Sequence, residues 1–242
     1  MNVLCFDSET AWTDSICSLW RDRLRLKPDL RMCLPSGMTP VDVYAEMSRS
    51  ARAGLVSFKR SHIFALDEFG GLASDDPGRT SHTLQRQLID TLDLPRSAFH
   101  VLDPDGADIL THCASYDAAI GSGFDLVLLG VGLNGHLGMN EPGSPIDSVT
   151  RRVQLHDSTV QSSARYFAHH NLPRWGLTVG LKALLNAREV WLLVKGSAKA
   201  QIVRDTLHGE IGASNPASLL RRHPNAWLFL DQAAAALLDG TA

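Results

Sequence analysis

The chain has 242 residues, 44% of them hydrophobic and 20% charged, with a formal net charge of −3. This is ordinary globular composition, long enough for one large α/β domain or two small ones. It excludes a strongly basic nucleic-acid binder, and neither a signal pattern nor an apolar run long enough to span a bilayer is found.

In chain order, short apolar runs alternate with longer amphipathic stretches. "NVLCF" (2–6) predicts a strand and residues 8–26 a helix. "LRMCLP" (30–35) predicts a second strand, followed by a helix with Thr39 at its N-cap and Pro40 at its first position. "SHIFALDE" (61–68) reads as a third strand, and 81–92 as a helix capped by Ser81. "AFHVL" (98–102) is a short strand, and 107–121 a helix closed by Gly121. "FDLVLLG" (124–130) is a strong fourth strand. "RRVQL" (151–155) is a strand and 158–167 a polar helix; 176–187 is a short strand and then a short helix. "EVWLLVKG" (189–196) is a buried strand, followed by a helix over 197–209 with Ser197 at its N-cap. "NAWLFLD" (225–231) is a last strand before an Ala-rich helix.

Apolar strands separated by helices mean βαβ units. The expected fold is α/β, Rossmann-like: a single doubly wound, mostly parallel sheet with helices on both faces. No linker or repeat divides the chain, so 1–242 is taken as one domain. Cys5, Cys17, Cys33 and Cys113 show no paired spacing, which favours buried free thiols in a reducing, cytoplasmic setting.

In such sheets ligands sit beyond the carboxyl ends of the strands, so polar residues just after strands should share one crevice. Four clusters qualify. "PSGMTP" (35–40) combines Gly37 with the hydroxyls of Ser36 and Thr39 before a helix N-terminus, which suits a phosphate; a plain capped turn fits equally well. In "LDEFGGL" (66–72), Asp67 and Glu68 are neighbours on a strand, so they point opposite ways and one at most enters the crevice. "GVGLNGHLGMNEPGSP" (130–145) carries Asn134, His136, Asn140 and Glu141, and a histidine with a nearby carboxylate can form an acid–base pair. The fourth cluster pairs Arg165 with Lys199, a cation in a helix first turn where a bound anion would offset the dipole. Two solvated cations are the plainer alternative.

The third cluster spells G-x-G-x-x-G, a dinucleotide fingerprint. Pro142 and Pro145 follow at once, so no long helix can begin there to meet a pyrophosphate.

The runs "LPSGMTP", "FALDEFGGL", "GVGLNGHLGMNEPGS" and "LTVGLKALLNAREVWLLVKGSAKA" resemble, in order and spacing, the glucosamine-6-phosphate deaminase/isomerase family, over nearly the whole chain. The G-H-x-x-x-N-E-P-G run separates these from the related 6-phosphogluconolactonases, which usually lack N-E-P. The resemblance implies a NagB-type fold and conversion of an amino-sugar phosphate to fructose 6-phosphate and ammonia without cofactor or metal. His136 is then the ring-opening acid–base, Glu141 its carboxylate partner and Asn134 the third member of the relay. Asp67 moves the C2 proton to C1. Gly37, Met38, Thr39, Arg165 and Lys199 hold the phosphate, with Ser36 adjacent, and a mobile lid spans about 156–174. The partner is a small molecule, with no nucleic acid or membrane, and the protein is a monomer or small homo-oligomer.

The pattern has departures. Asn134 stands where many members have aspartate; it can hold an imidazole but supplies no charge. An allosteric site of hexameric members is matched at Ser144 and Arg151 but not at Val153, so no such activation is expected. Phe69 and Met139 replace the commoner tyrosine and phenylalanine, which keeps the galactosamine epimer open as a substrate. A lactonase and a catalytically silent sugar-phosphate sensor are weaker alternatives, opposed by N-E-P and by the joint presence of Asp67, His136 and Glu141.

Overall fold

The computed structural model describes residues 1–167 and 172–238. Its elements run β1 (Asn2–Phe6), α1 (Glu9–Leu26), β2 (Arg31–Leu34), α2 (Val41–Arg52), β3 (His62–Ala65), β4 (Asp67–Phe69) and α3 (Thr80–Gln87). They continue with β5 (Phe99–His100), α4 (Ile109–Ile120), β6 (Leu126–Leu129), β7 (Arg151–Gln154), α5 (Asp157–Ser163) and β8 (Trp175–Thr178). The last are α6 (Leu181–Leu185), β9 (Val190–Val194), α7 (Ala200–His208) and β10 (Ala226–Asp231). Seven strands form a parallel sheet in the order β1-β10-β9-β6-β2-β3-β5.

The central strands are continuously apolar because both faces are covered. Within β9, Val190, Leu192 and Val194 pack on one face, and Trp191 and Leu193 on the other. Tyr116 of α4, Leu184 of α6 and Ile202 of α7 meet the first face. Trp20 of α1, Tyr44 of α2 and Leu84 of α3 meet the second. This is the doubly wound arrangement expected, with helices on both sides.

The hydrophobic pattern does not separate out a second, three-stranded sheet, β4-β8-β7, which is antiparallel. It divides the expected third strand in two. β2 ends at Leu34, before Pro35, whose missing N–H cannot extend a ladder. Leu66 makes the last bond to β2, Leu66 N to Leu34 O at 3.0 Å, and its own carbonyl accepts from Val179 N at 2.9 Å. From Asp67 onward the chain pairs with β8 instead.

Several helix starts also shift. Pro40, not Thr39, is the cap of α2, because its carbonyl takes the Tyr44 N–H at 2.8 Å. Ser81 lies inside α3, with its hydroxyl turned to Glu68. Ser197 opens a 3-10 turn, Ser197–Lys199, ahead of α7, and makes no capping bond. The Ala-rich tail forms turns over 232–237 rather than a helix. Asp231 accepts from Ala234 N at 2.7 Å, as an N-cap would, but so short a segment gains little from helix nucleation. All four cysteines are free; Cys5 is exposed and the other three are buried. Among the described residues no helix is long and apolar enough to cross a membrane.

Trp20 anchors the second face. It is fully buried, sits edge-on to Tyr44 and Phe58, and donates from Nε1 to Met32 Sδ at 3.2 Å. Trp20→Ala should lower stability by about 3–5 kcal/mol in urea unfolding, with little effect on ligand binding in the fraction that remains folded.

Candidate active site

The sheet changes direction between β2 and β6. β3 and β5 follow β2 outward on one side, whereas β6, β9 and β10 run off on the other. The loops leaving β2 and β6 therefore diverge and leave a crevice at their carboxyl ends. Its volume is about 470 Å³, and all four clusters reach it: Ser36, Gly37, Met38 and Thr39; Asp67; His136; and Lys199.

The loop 35–40 turns at Gly37, whose φ of 112° belongs to glycine. Its peptide is clasped by Gln87 of α3: Gly37 N donates to Gln87 Oε1 at 3.3 Å, and Gln87 Nε2 donates to Gly37 O at 3.0 Å. The Gly37 N–H is thus engaged by Gln87. Among the described residues the N–H groups of Met38 and Thr39 and the hydroxyls of Ser36 and Thr39 take no protein partner. These are the donors left for an anion. Lys199 ends the 3-10 turn before α7 and donates from Nζ to Val131 O at 2.7 Å, which holds its ammonium at the crevice wall. Arg165 lies in the 3-10 turn Ala164–Tyr166; its side chain is outside the described part, as are residues 168–171 of the expected lid.

Asp67 and Glu68 divide as strand neighbours must. Glu68 is fully buried and caps α3, accepting from Phe69 N, Thr80 N, Ser81 N and Ser81 Oγ. Asp67 faces the crevice without such donors. Burial, and then the charge of Glu68, push its carboxyl up to about 7. Near neutral pH it can both accept and return a proton.

His136 stands on the loop after β6. Its Nδ1 lies 2.7 Å from Asn134 Oδ1, and Asn134 Nδ2 donates to Glu141 Oε2 at 2.8 Å. The Glu141 carboxylate is itself 3.6 Å from Nδ1. Two acceptors beside Nδ1 place the proton there and leave Nε2 as the exchanging nitrogen. Burial opposes the charge of Glu141, but the polar groups of His136, Thr159 and Asn134 around it outweigh burial and pull its carboxyl down to about 2. Asn140 turns away from the crevice: its Nδ2 pins Leu137 O and Val179 O, both at 2.9 Å, and Arg151 donates to its Oδ1 at 2.8 Å. Gly132 lies flat beneath the imidazole, and a methyl group there would overlap the ring.

Three contributors were not singled out in the sequence. Thr159 of α5 stands 3.3 Å from His136 Nδ1, Tyr166 brings its hydroxyl against Gly37, and Gln87 clasps that same glycine. Each is a polar residue on a helix or turn far along the chain, and no local spacing marks it.

A family model described as glucosamine-6-phosphate isomerases/6-phosphogluconolactonase matches residues 7–229. The chain is 41% identical to a glucosamine-6-phosphate deaminase of Pseudarthrobacter chlorophenolicus over 220 residues, 89% of this chain and 84% of that one. It is 31% identical to that of Shouchella clausii over 240 residues, 98% of this chain and 97% of the other. Among solved structures, a monomeric glucosamine-6-phosphate deaminase, termed a missing link of the NagB superfamily, superposes with a TM-score of 0.94 at 32% identity. That match covers 98% of this chain and 100% of the other. A 6-phosphogluconolactonase from Thermotoga maritima, at 18% identity and a TM-score of 0.75 over 95% of this chain and 99% of that one, shares the fold.

Two consequences are measurable. Gly132→Ala should fold but displace the imidazole, and His136 should lose its native ring resonances in NMR spectra. Asp67 carries a raised pKa in the folded state, so its contribution is favourable at low pH and is lost as pH rises from about 4 through 7. Asp67→Asn should therefore melt several degrees above wild type at pH 8 and match it near pH 4 in thermal scans.

Proposed function

The chain belongs to the family of glucosamine-6-phosphate isomerases and 6-phosphogluconolactonases, and we propose that it is an enzyme that deaminates and isomerises glucosamine 6-phosphate to fructose 6-phosphate and ammonia. The observation that carries this reading is the pairing, in one crevice, of a proton-exchanging Asp67 with a His136 relay, opposite a loop of unengaged N–H and hydroxyl donors.

Each part then has a task. The N–H groups of Met38 and Thr39, the hydroxyls of Ser36 and Thr39, and the Lys199 ammonium hold the 6-phosphate. Gly37 shapes that loop and Arg165 contributes a further cation. Fixing the phosphate places C1 and C2 at the other end of the crevice, so binding energy far from the reaction orients it. His136 Nε2 takes the proton of the anomeric hydroxyl and returns one to the ring oxygen, which opens the ring. Asn134 and Glu141 keep Nδ1 protonated while it does so. The Asp67 carboxylate removes the C2 proton while the 2-ammonium gives one to the oxygen on C1, leaving a C1–C2 enolamine, and Asp67 then delivers its proton to C1. The resulting C2 iminium takes up water and releases ammonia, leaving the ketone.

The galactosamine epimer is the second reading. Phe69 and Met139 line the crevice and form an apolar wall where the family more often has tyrosine and phenylalanine, and Phe69 packs edge-on to Phe167 at 5.3 Å. With all four cysteines unpaired, a cytoplasmic location is part of the proposal. So is a monomeric state like that of the structural relative.

Ammonia release from glucosamine 6-phosphate should exceed that from the galactosamine isomer, and 6-phosphogluconolactone should not be hydrolysed above background. The ratio kcat/KM should fall as pH drops through about 7, where Asp67 becomes protonated. Asp67→Asn should remove activity by about a hundredfold or more while phosphate binding persists. Absence of ammonia from both sugars would defeat the proposal.

A further inference from the structure

Glu141 and His136 are joined by more than Asn134. Thr159, on the first turn of α5, is buried and places Oγ1 3.3 Å from His136 Nδ1. The same hydroxyl also acts on the Glu141 carboxylate and helps to hold it in its charged form. A hydroxyl has one proton and two lone pairs. Glu141 is an ionised acceptor, so the Thr159 proton goes to it, and a lone pair is left facing Nδ1–H. Asn134 does the same with its two ends: Nδ2 donates to Glu141 Oε2 at 2.8 Å and Oδ1 accepts at Nδ1, 2.7 Å away. The N-cap residue of α5 adds a further donor, His156 N to Glu141 Oε1 at 3.2 Å.

We infer that Thr159 is a positioning residue of the acid–base relay, the second of two parallel arms, with Asn134 the first, that carry the polarisation of the Glu141 carboxylate to His136 Nδ1. The inference rests on the role proposed above for His136 and deepens it. A carboxylate that draws the proton of a hydroxyl or amide makes the other end of that group a better acceptor, because hydrogen bonds in a chain strengthen one another. Asn134 puts a neutral amide next to the histidine, so the imidazolium formed during ring opening has no anion within 3 Å of Nδ1. The carboxylate at 3.6 Å, relayed by two dipoles, supplies the stabilisation instead. Because Thr159 belongs to α5 and the His156 N–H to its N-cap, the relay is complete only while α5 is seated against the loop after β6.

Thr159→Val keeps the shape and removes the hydroxyl; Thr159→Ser restores it. The first readout needs no substrate: the ring ¹⁵N resonances of His136, assigned by their loss in His136→Gln. Wild type and Thr159→Ser should show the Nδ1–H tautomer, and Thr159→Val a mixture with faster exchange of Nδ1–H with water. The second readout is turnover of glucosamine 6-phosphate. Thr159→Val should lower kcat by about tenfold or more with KM little changed, and change the pH profile of kcat, whereas Thr159→Ser should stay close to wild type. In a Glu141→Gln background the Thr159→Val effect should shrink, since the arm then has no charge to carry. An unchanged tautomer pattern in Thr159→Val would overturn the inference. So would kcat within about twofold of wild type, or equal losses in the Val and Ser variants. If wild-type protein turns over neither amino-sugar phosphate, the functional reading fails and the tautomer measurement alone decides the role of Thr159.

Discussion

The direction change of the parallel sheet between β2 and β6 is the constraint on which the rest of the molecule depends. Adjacent parallel strands whose onward connections run to opposite sides cannot keep their following loops together. The gap that results sits at the carboxyl ends of both strands. Into it the chain delivers one loop rich in backbone donors, after β2, and one carrying an imidazole, after β6. The apolar layers on the two faces hold those strand ends in register, and the two loops need little packing of their own.

Two carboxylates at this edge are driven in opposite directions by where the backbone leaves them. Asp67 follows the single residue, Leu66, that carries the chain from the parallel sheet to the small antiparallel one. Its neighbour Glu68 takes the N-terminal donors of α3, so Asp67 is left desolvated, next to a negative charge, and its ionised form is disfavoured. Glu141 meets donors from Asn134, Thr159 and the start of α5, and its ionised form is favoured despite burial. One group is set up to exchange protons near neutrality, and the other to stay charged and orient a histidine. The division follows from hydrogen-bond supply.

Much of this was legible along the chain. The buried strands β2, β6, β9 and β10 were read from their apolar runs, because a strand covered on both faces needs a hydrophobic residue at every position. The first helix, the Gly121 stop and the strand-end placement of Asp67, His136 and Lys199 were legible for the same local reasons, whereas the Ser8 cap of that helix came from the structure. The break at Leu66 was not, since "SHIFALDE" keeps its pattern across it and only the loss of the β2 partner at Pro35 ends the strand. The Ala-rich tail was misread because helix propensity is strong there, but a segment as short as 232–237 gains too little from propensity to close a helix.

By itself the sequence determined the α/β class, the crevice at the strand ends, the family and the candidates for proton exchange, since each depends on periodicity or on a short motif. Only the tertiary structure decided that Gln87 occupies the Gly37 peptide, that Gly132 makes room for the imidazole, and that Thr159 stands beside both His136 and Glu141. Those contacts join residues with no periodic relation along the chain. Hydrogen bonds of this kind are settled by distances of a few tenths of an ångström between separate elements, and such distances exist only once the sheet and its helices have packed.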